Sequence, residues 1–179
     1  MRVKRILIIG NPGAGKSTLA MQLGLIMNLP VIHLDKYFWQ KGWVAMESEK
    51  WRDNVREMVS RKEWIIDGNF DGSLDVRLPR ADAVIFLDFP THVCLWRVSK
   101  RIMTSFGKVR QDMAEGCPER IDFPFLRWVW RFRRDVRPEV AAALRQYYNG
   151  QRLYKLDSPR MVNNFLGRLA DGRDGNPEN

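Results

Sequence analysis

Short continuous apolar runs punctuate the chain at Ile6–Ile9, Val31–Leu34, Trp64–Ile66, Ala83–Leu87 and, more weakly, Leu153–Leu156. Unbroken hydrophobicity at that length predicts strands buried on both faces of a sheet. Between the runs, apolar positions recur at helical spacing. A first helix follows Ser17 and ends near Met27-Asn28-Leu29-Pro30; Trp51, Val55, Met58 and Val59 mark a second, with Ser48 placed to cap it. From Thr91 the pattern places Val93, Trp96, Val98 and Ile102 inward, and Phe125, Val129, Phe132 and Val136 define the next helix. Pro138 starts a further helix to about Tyr148, and Arg160 to Leu169 form the last. Residues 36–46 carry aromatics without a clean period and read as an excursion from the sheet, while 104–124, broken by Gly107, Gly116, Pro118 and Pro124, read as a mobile loop. The tail 171–179 has no apolar residue and is expected to be disordered. The alternation predicts an α/β fold, a doubly wound five-stranded parallel sheet in the order 2-3-1-4-5, as one domain over residues 1–170.

The first strand runs into Gly10-Asn11-Pro12-Gly13-Ala14-Gly15-Lys16-Ser17-Thr18, the G-x-x-x-x-G-K-S pattern of the P-loop, or Walker A motif. Glycines let consecutive backbone N–H groups turn inward onto phosphate oxygens. Lys16, expected to be a solvated side chain, reaches the β- and γ-phosphates, Ser17 coordinates Mg²⁺, and the following helix adds its positive end. ATP with Mg²⁺ is the implied cofactor pair.

Carboxylates at strand exits are the next candidates, because ligands of open α/β sheets bind there. Asp35, taken as the last residue of a strand from Val31, either serves the acceptor, as general base or through a metal-bound water, or caps the next turn. Asp67 and Asp88 both close apolar runs in the Walker B manner. Asp67, followed by Gly68, is the first choice for ordering the metal, and Asp88 is the second, with an equal case for a structural role. His33 reads as a packed residue. Trp39, Trp43 and Trp51 either stack on a base or, more in keeping with large aromatics, build a small core for the insert.

The 179 residues fit a single domain, and 45% hydrophobic with 28% charged residues is ordinary globular composition. No run approaches the roughly 18 apolar residues a bilayer span needs, so no membrane partner is expected and the location is read as cytoplasmic. Cys94 and Cys117 are too few for a zinc site or a disulfide framework. The formal charge of +9 calls for polyanionic partners. Much of the excess lies in Arg120, Arg127, Arg131, Arg133, Arg134, Arg137 and Arg145, while Arg97 and Arg101, one helical turn apart, can converge on one anion.

Several stretches resemble adenylate-kinase-like enzymes: WIIDGNF, VIFLDFP and the R-x-x-x-R of Arg97 and Arg101. More closely, HLDKYFWQKGW, the run from WIIDGNFDG to FLDFP and FLRWVWRFRRDVRPEV resemble the FlaR-like group of P-loop kinases, which carry the label of DNA topology modulation proteins. The resemblance spans roughly residues 3–168. It implies that residues 10–18 hold the phosphates, Asp67 orders the magnesium water shell, Arg97 lies against the adenine and Arg101 reaches the phosphates. It also implies an acceptor-side insert over 36–61 and a lid over 104–137. Where true adenylate kinases have D-G-F-P-R, this chain has Asp67-Gly68-Asn69-Phe70-Asp71, without the proline and arginine. Arg77 either replaces that arginine or pairs with Asp75 or Asp82.

Two functions follow. The leading one is a kinase binding a nucleoside triphosphate and moving its γ-phosphoryl group to a small-molecule acceptor, nucleotide-like or otherwise, with Lys16, Asp35, Arg101 and, from the basic stretch, Arg133 and Arg137 as catalytic candidates. Arg127, Arg131 and Arg134 share a face at helical spacing that reads as solvated. The second, ranked behind it, is a nucleotide-dependent regulator whose partner is nucleic acid, supported by the basic, aromatic stretch 125–137.

Overall fold

The computed structural model describes residues 3–69 and 71–172. The expectation for the tail falls almost wholly on residues 173–179, outside the described part. The central strand β1 (Arg5–Gly10) carries apolar side chains from Ile6 to Ile9 and is buried beyond its first residue. It pairs in parallel with β5 (Trp64–Asp67) on one side and β6 (Ala83–Leu87) on the other, and β2 (Val31–His33) and β7 (Arg152–Leu156) complete the sheet. The order β2-β5-β1-β6-β7 is the predicted 2-3-1-4-5 among the sheet's own strands. A separate antiparallel pair, β3 (Trp39–Gln40) and β4 (Val44–Ala45), forms a small hairpin within the aromatic excursion.

Alternate residues of β1 feed two cores. Ile6 and Ile8 point into one with α1 (Lys16–Met27), α5 (Thr91–Ser105) and α7 (Pro159–Ala170). Leu7 and Ile9 point into the other with α3 (Ser48–Ser60) and the short α4 (Leu74–Arg77). The remaining helices are α2 (Leu34–Phe38) and α6 (Phe123–Gln146). The last joins both cores, Val129 in the first and Phe132, Val136 and Val140 in the second. Since helices cover both faces, the strands read as unbroken apolar runs.

Five local expectations are corrected. The strand from Val31 stops at His33, and Asp35 lies in the first turn of α2. Ser48 is already helical, with Glu47 at the cap position and no side-chain cap. Trp96 is 70% exposed, because the buried stripe of α5 is Cys94, Val98 and Ile102. Pro138 starts no new helix; α6 runs through it, since Val136 and Val140 are buried on either side. The loop read over 104–124 is shorter, and the stretch 104–137 also takes in the first half of α6, whose Val129 and Phe132 are buried in the two cores. Only residues 106–122 are irregular there.

Asp88 is the other correction. Its side chain, 3% exposed, accepts two hydrogen bonds from Arg137 Nε and one from Nη2, all at 3.0 Å, with Lys155 Nζ at 3.2 Å and Arg133 Nε at 3.7 Å. A carboxylate at the end of β6 thus ties α6 and β7 together. It is saturated by cations, and neither it nor Arg133 or Arg137 lines the cavity described below. The metal role considered for Asp88 and the catalytic roles considered for Arg133 and Arg137 do not match this placement.

Asp88→Asn should therefore destabilise the fold by about 1–3 kcal/mol, the range for a buried acceptor lost from charged donors. The lower end is favoured because Arg137, Arg133 and Lys155 are 37%, 47% and 58% exposed and regain water. Urea unfolding measures this, and ATP affinity of the folded variant should stay within about twofold, on the order of 0.4 kcal/mol.

Candidate functional site

The loop between β1 and α1 leaves the sheet where its neighbours lie on opposite sides, which is the switch point of an open α/β fold. Two of its glycines are required by geometry. Gly10, at φ 144°, lies against the Leu87 backbone, and Gly13, at φ 81°, lies against the Cys94 carbonyl, so a Cβ at either would collide. Asn11 is buried and donates through Nδ2 to the Val129 carbonyl at 3.2 Å, and Ala14 N–H closes a turn on the Asn11 carbonyl at 3.0 Å. The first turn of α1 has no acidic residue and Gly15 supplies no side-chain cap, so its N–H groups remain available to an anion.

Lys16 is folded back rather than solvated. Its Nζ donates to the Gly10 carbonyl at 2.9 Å and lies 3.4 Å from that of Asn11. Burial lowers its pKa, against the opposing pull of the Asp35 and Asp67 charges.

Beneath Ser17 lies a chain of three side chains. Ser17 Oγ donates to Asp67 Oδ2 at 2.8 Å, and Asp67 Oδ1 is 2.5 Å from His33 Nδ1. Strand register produces this contact, since Asp67 stands opposite both Ile8 of β1 and His33 of β2. Burial opposes charge on His33, but the hydrogen bond and negative charge of Asp67, with a smaller pull from Asp112, raise its pKa overall. The sequence reading assigned His33 to packing. The available signal was its position at the exit of an edge strand, level with a carboxylate.

The loop after β5 was also misread. Asn69 Oδ1 accepts from Gly10 N–H at 3.0 Å and ties this loop to the P-loop. Arg77 is fully buried and makes neither of the expected ion pairs. It donates to the carbonyls of Gly68 at 2.9 Å, Asn69 and Ser73. Asp75 and Asp82 are held instead by Arg52 and Arg5, each at 2.6 Å.

A cavity of about 1000 Å³ opens over the P-loop. Pro12 to Thr18 form its floor, Asp35, Trp39 and Trp43 one end, and Arg97, Val162 and Asn163 line it further round. Arg97 Nη1 reaches the Ala14 carbonyl at 3.4 Å, with its guanidinium 5.2 Å from the Phe89 ring centre. Arg101 donates to Glu119 Oε1 through Nη2 at 2.9 Å and Nε at 3.1 Å. Glu119 also lies 3.1 Å from Arg110 Nε, and Arg110 is 3.0 Å from Asp112. Burial first, then the Arg110 charge, lowers the pKa of Arg101 against the pull of Glu119. Asp35 is pushed up by burial; Lys16 draws it down, while Asp67 and Asp112 raise it further.

The three tryptophans separate. Trp39 and Trp43 line the cavity with ring centres 5.5 Å apart, whereas Trp51 belongs to the core beneath β1. The residues 106–122 roof the cavity and are fixed to the hairpin. Gly42 N–H donates to the Gly116 carbonyl at 2.9 Å, Trp43 Nε1 to the Pro118 carbonyl at 3.1 Å, and Cys117 Sγ lies 3.1 Å from the Gln40 carbonyl.

The oxygen donors of Ser17 and Asp67 suit Mg²⁺, which is held by one or two carboxylates together with substrate phosphates and water. Among the described residues no cluster of three or more His, Cys, Asp or Glu side chains forms an all-protein metal cage. No helix among them is long and apolar enough to cross a membrane.

Solved structures share the fold. A shikimate kinase from Bacteroides thetaiotaomicron superposes with a TM-score of 0.53 at 19% identity, covering 95% of this chain and 98% of that one. A shikimate kinase from Acinetobacter baumannii in complex with shikimate gives 0.53 at 15% identity, covering 95% and 94%. A gluconokinase from Sinorhizobium meliloti gives 0.53 at 17% identity, covering 94% of each chain. At such identities the likeness is one of fold. No curated protein matches the sequence. Residues 6–115, more than half of the chain and running from the central strand through the P-loop to the roof segment, match the family described as AAA domain, and the chain belongs to that family.

Proposed function

We propose that the protein is an ATP-dependent kinase that transfers the γ-phosphoryl group to a hydroxyl of a small acceptor. The observation that carries this reading is a single cavity bounded at once by Lys16, Ser17, Arg97 and Arg101 and by the half-buried carboxylate Asp35. A phosphate-binding floor and a proton acceptor in one enclosed space are what phosphoryl transfer requires, since its catalysis is mostly positioning and charge stabilisation. The fold shared with shikimate kinases and a gluconokinase supports a small-molecule acceptor. The resemblance to adenylate-kinase-like and FlaR-like enzymes supports ATP as donor.

In this reading the backbone N–H groups of residues 13–18 and the N-terminus of α1 bind the phosphates. Lys16 exchanges the Gly10 carbonyl for phosphate oxygens, its pairing in the structure showing that the ammonium already reaches across the loop. Ser17 and Asp67 would hold Mg²⁺, which supplies charge neutralisation on the phosphates. His33 fixes the orientation of Asp67. Arg97 borders the nucleotide, and Arg101 exchanges Glu119 for phosphate as charge develops. Asp35 accepts the proton of the attacking hydroxyl.

The nucleic-acid reading has less support than the arginine count suggested. Arg131 and Arg134 both pair with Asp135, at 2.6 and 2.7 Å, and Arg133 and Arg137 surround Asp88. Four arginines of the basic stretch are thus engaged within the fold, although two aspartates offset only part of their charge.

Lys16→Ala should lower ATP turnover by about 10²–10³-fold, the scale of losing one principal stabiliser of transition-state charge. Turnover assays across nucleosides, nucleotides and hydroxyl metabolites, with circular dichroism to check folding, test this; unchanged turnover would overturn the assignment. A second expectation concerns pH. Because burial raises the pKa of Asp35, the base is lost to protonation at a higher pH than an ordinary carboxylate. The acid limb of kcat/KM should therefore lie above the usual carboxylate range, and Asp35→Asn should remove that limb along with most of the rate.

A further inference from the structure

The chemistry of the acceptor follows from which cations the acceptor end of the cavity leaves open. Resting on the kinase reading above, we propose that the acceptor is an uncharged hydroxyl compound with a flat ring face, carrying neither phosphate nor carboxylate. Nucleosides and neutral sugars or cyclitols share that chemistry.

The walls at this end are Asp35, Trp39, Trp43, Asn69, Asp112 and Met113. Arg110 is the guanidinium that reaches this end, and its charge is already paired: Nη1 donates to Asp112 at 3.0 Å, and Nε lies 3.1 Å from Glu119 as an ion pair without hydrogen-bond geometry. Arg120, further along the roof, lies 5.4 Å from the Trp43 ring centre and 3.3 Å from Asp122. The arginines beneath and beside the acceptor end are also committed: Arg77 to the carbonyls of Gly68 and Asn69, and Arg52 to Asp75 and the Gly72 carbonyl. Lys16 belongs to the phosphate floor. An anionic acceptor would thus enter between two carboxylates and displace an existing ion pair, exchanging one charge-assisted contact for another while still losing water.

An uncharged ring meets the opposite situation. The Trp39 and Trp43 indoles are half-buried and braced: against each other, against the Met113, Ala114 and Cys117 cluster, and through the Trp43 hydrogen bond to Pro118. An aromatic wall braced in this way offers a ring face about 1–3 kcal/mol of stacking, the magnitude found for bases on aromatic side chains. Asn69 and the carboxylates can take hydroxyl groups as hydrogen-bond partners. The transfer itself is balanced. The acceptor oxygen forms a bond to the γ-phosphorus of ATP, the bond from that phosphorus to the bridging oxygen breaks, ADP leaves with that oxygen, and the hydroxyl proton passes to Asp35.

The test is a panel of matched pairs with ATP and Mg²⁺: each nucleoside beside its 5′-monophosphate, glucose beside glucuronate and glucose 6-phosphate, and inositol beside an inositol monophosphate. The uncharged member of any pair turned over should have a kcat/KM at least about tenfold higher, equivalent to 1.4 kcal/mol. Asp112→Asn, which removes one acid from Arg110, should narrow that ratio. Trp39→Ala should raise the acceptor KM about tenfold without moving the KM for ATP, and Trp39→Phe should recover most of the loss. Preference for an anionic member would overturn the inference and leave the kinase reading intact. ATP binding by calorimetry with no uncharged member either phosphorylated or bound, read by quenching of tryptophan fluorescence, would also overturn it. Failure of the wild-type protein to bind ATP would overturn the kinase reading itself, and this inference with it.

Discussion

Much of the site depends on where one carboxylate ends up. Asp67 is buried at the end of β5, and parallel pairing sets it level with Ile8 on one side and His33 on the other. Its two oxygens then face different strands' contributions, Ser17 of the P-loop and His33 of the edge strand. A buried carboxylate is tolerated only when its oxygens are satisfied, so sheet register, P-loop position and His33 orientation are fixed together. The same loop region contributes Asn69, which accepts from Gly10 N–H, while Arg77 from α4 pins the carbonyls of residues 68 and 69. What lies beneath the phosphate floor is thus a satisfied polar network set between two apolar cores.

Charge is distributed by the same logic. The chain carries an excess of +9, and several of its arginines crowd in pairs onto shared acids. Arg137 and Arg133 hold Asp88, Arg131 and Arg134 share Asp135, and Arg101 and Arg110 share Glu119. These pairs differ in their consequences. Asp135 is on the surface, where its contacts contribute little. Asp88 is buried and ties β6, α6 and β7 together. Glu119 is also buried but lines the cavity, where the phosphates of a nucleotide could compete for Arg101.

The main sheet was legible in the sequence because its three inner strands are continuous apolar runs and helical patterns separate the strands, while the edge strands β2 and β7, with His33 and Lys155 inside them, gave a weaker signal. The P-loop residues were legible because phosphate binding demands particular backbone freedom at fixed spacing. What could not be read was contact between distant residues. Beyond the glycine that follows Asp67, nothing local separates it from Asp88: both close apolar strands, and only the arrival of α6 and β7 gives Asp88 its cations. Arg77 looked like a surface partner for Asp75 because its commitment to the carbonyls of Gly68, Asn69 and Ser73 depends on how the loop after β5 folds over it. His33 was misplaced for a related reason, since strand register decides which polar residue reaches Asp67. The helix through Pro138 shows tertiary burial outweighing a local breaker, Val136 and Val140 anchoring it on both sides.

The hairpin and the roof raise the last point of connection. Residues 39–45 and 106–122 are far apart in sequence, but Gly42 to Gly116, Trp43 to Pro118 and Gln40 to Cys117 fasten them into one piece. Gly116, at φ 74°, is packed so closely against the Lys41 side chain that a Cβ there would collide with it. Glu119, three residues further on, closes the same segment onto Arg101 of α5. The aromatic wall at the Asp35 end is thereby joined to Arg101 of α5 through one segment, which Trp43 holds at Pro118 and Arg101 holds at Glu119. These contacts lie outside the sheet, so the cavity's upper wall is built from side chains that the central strands do not position.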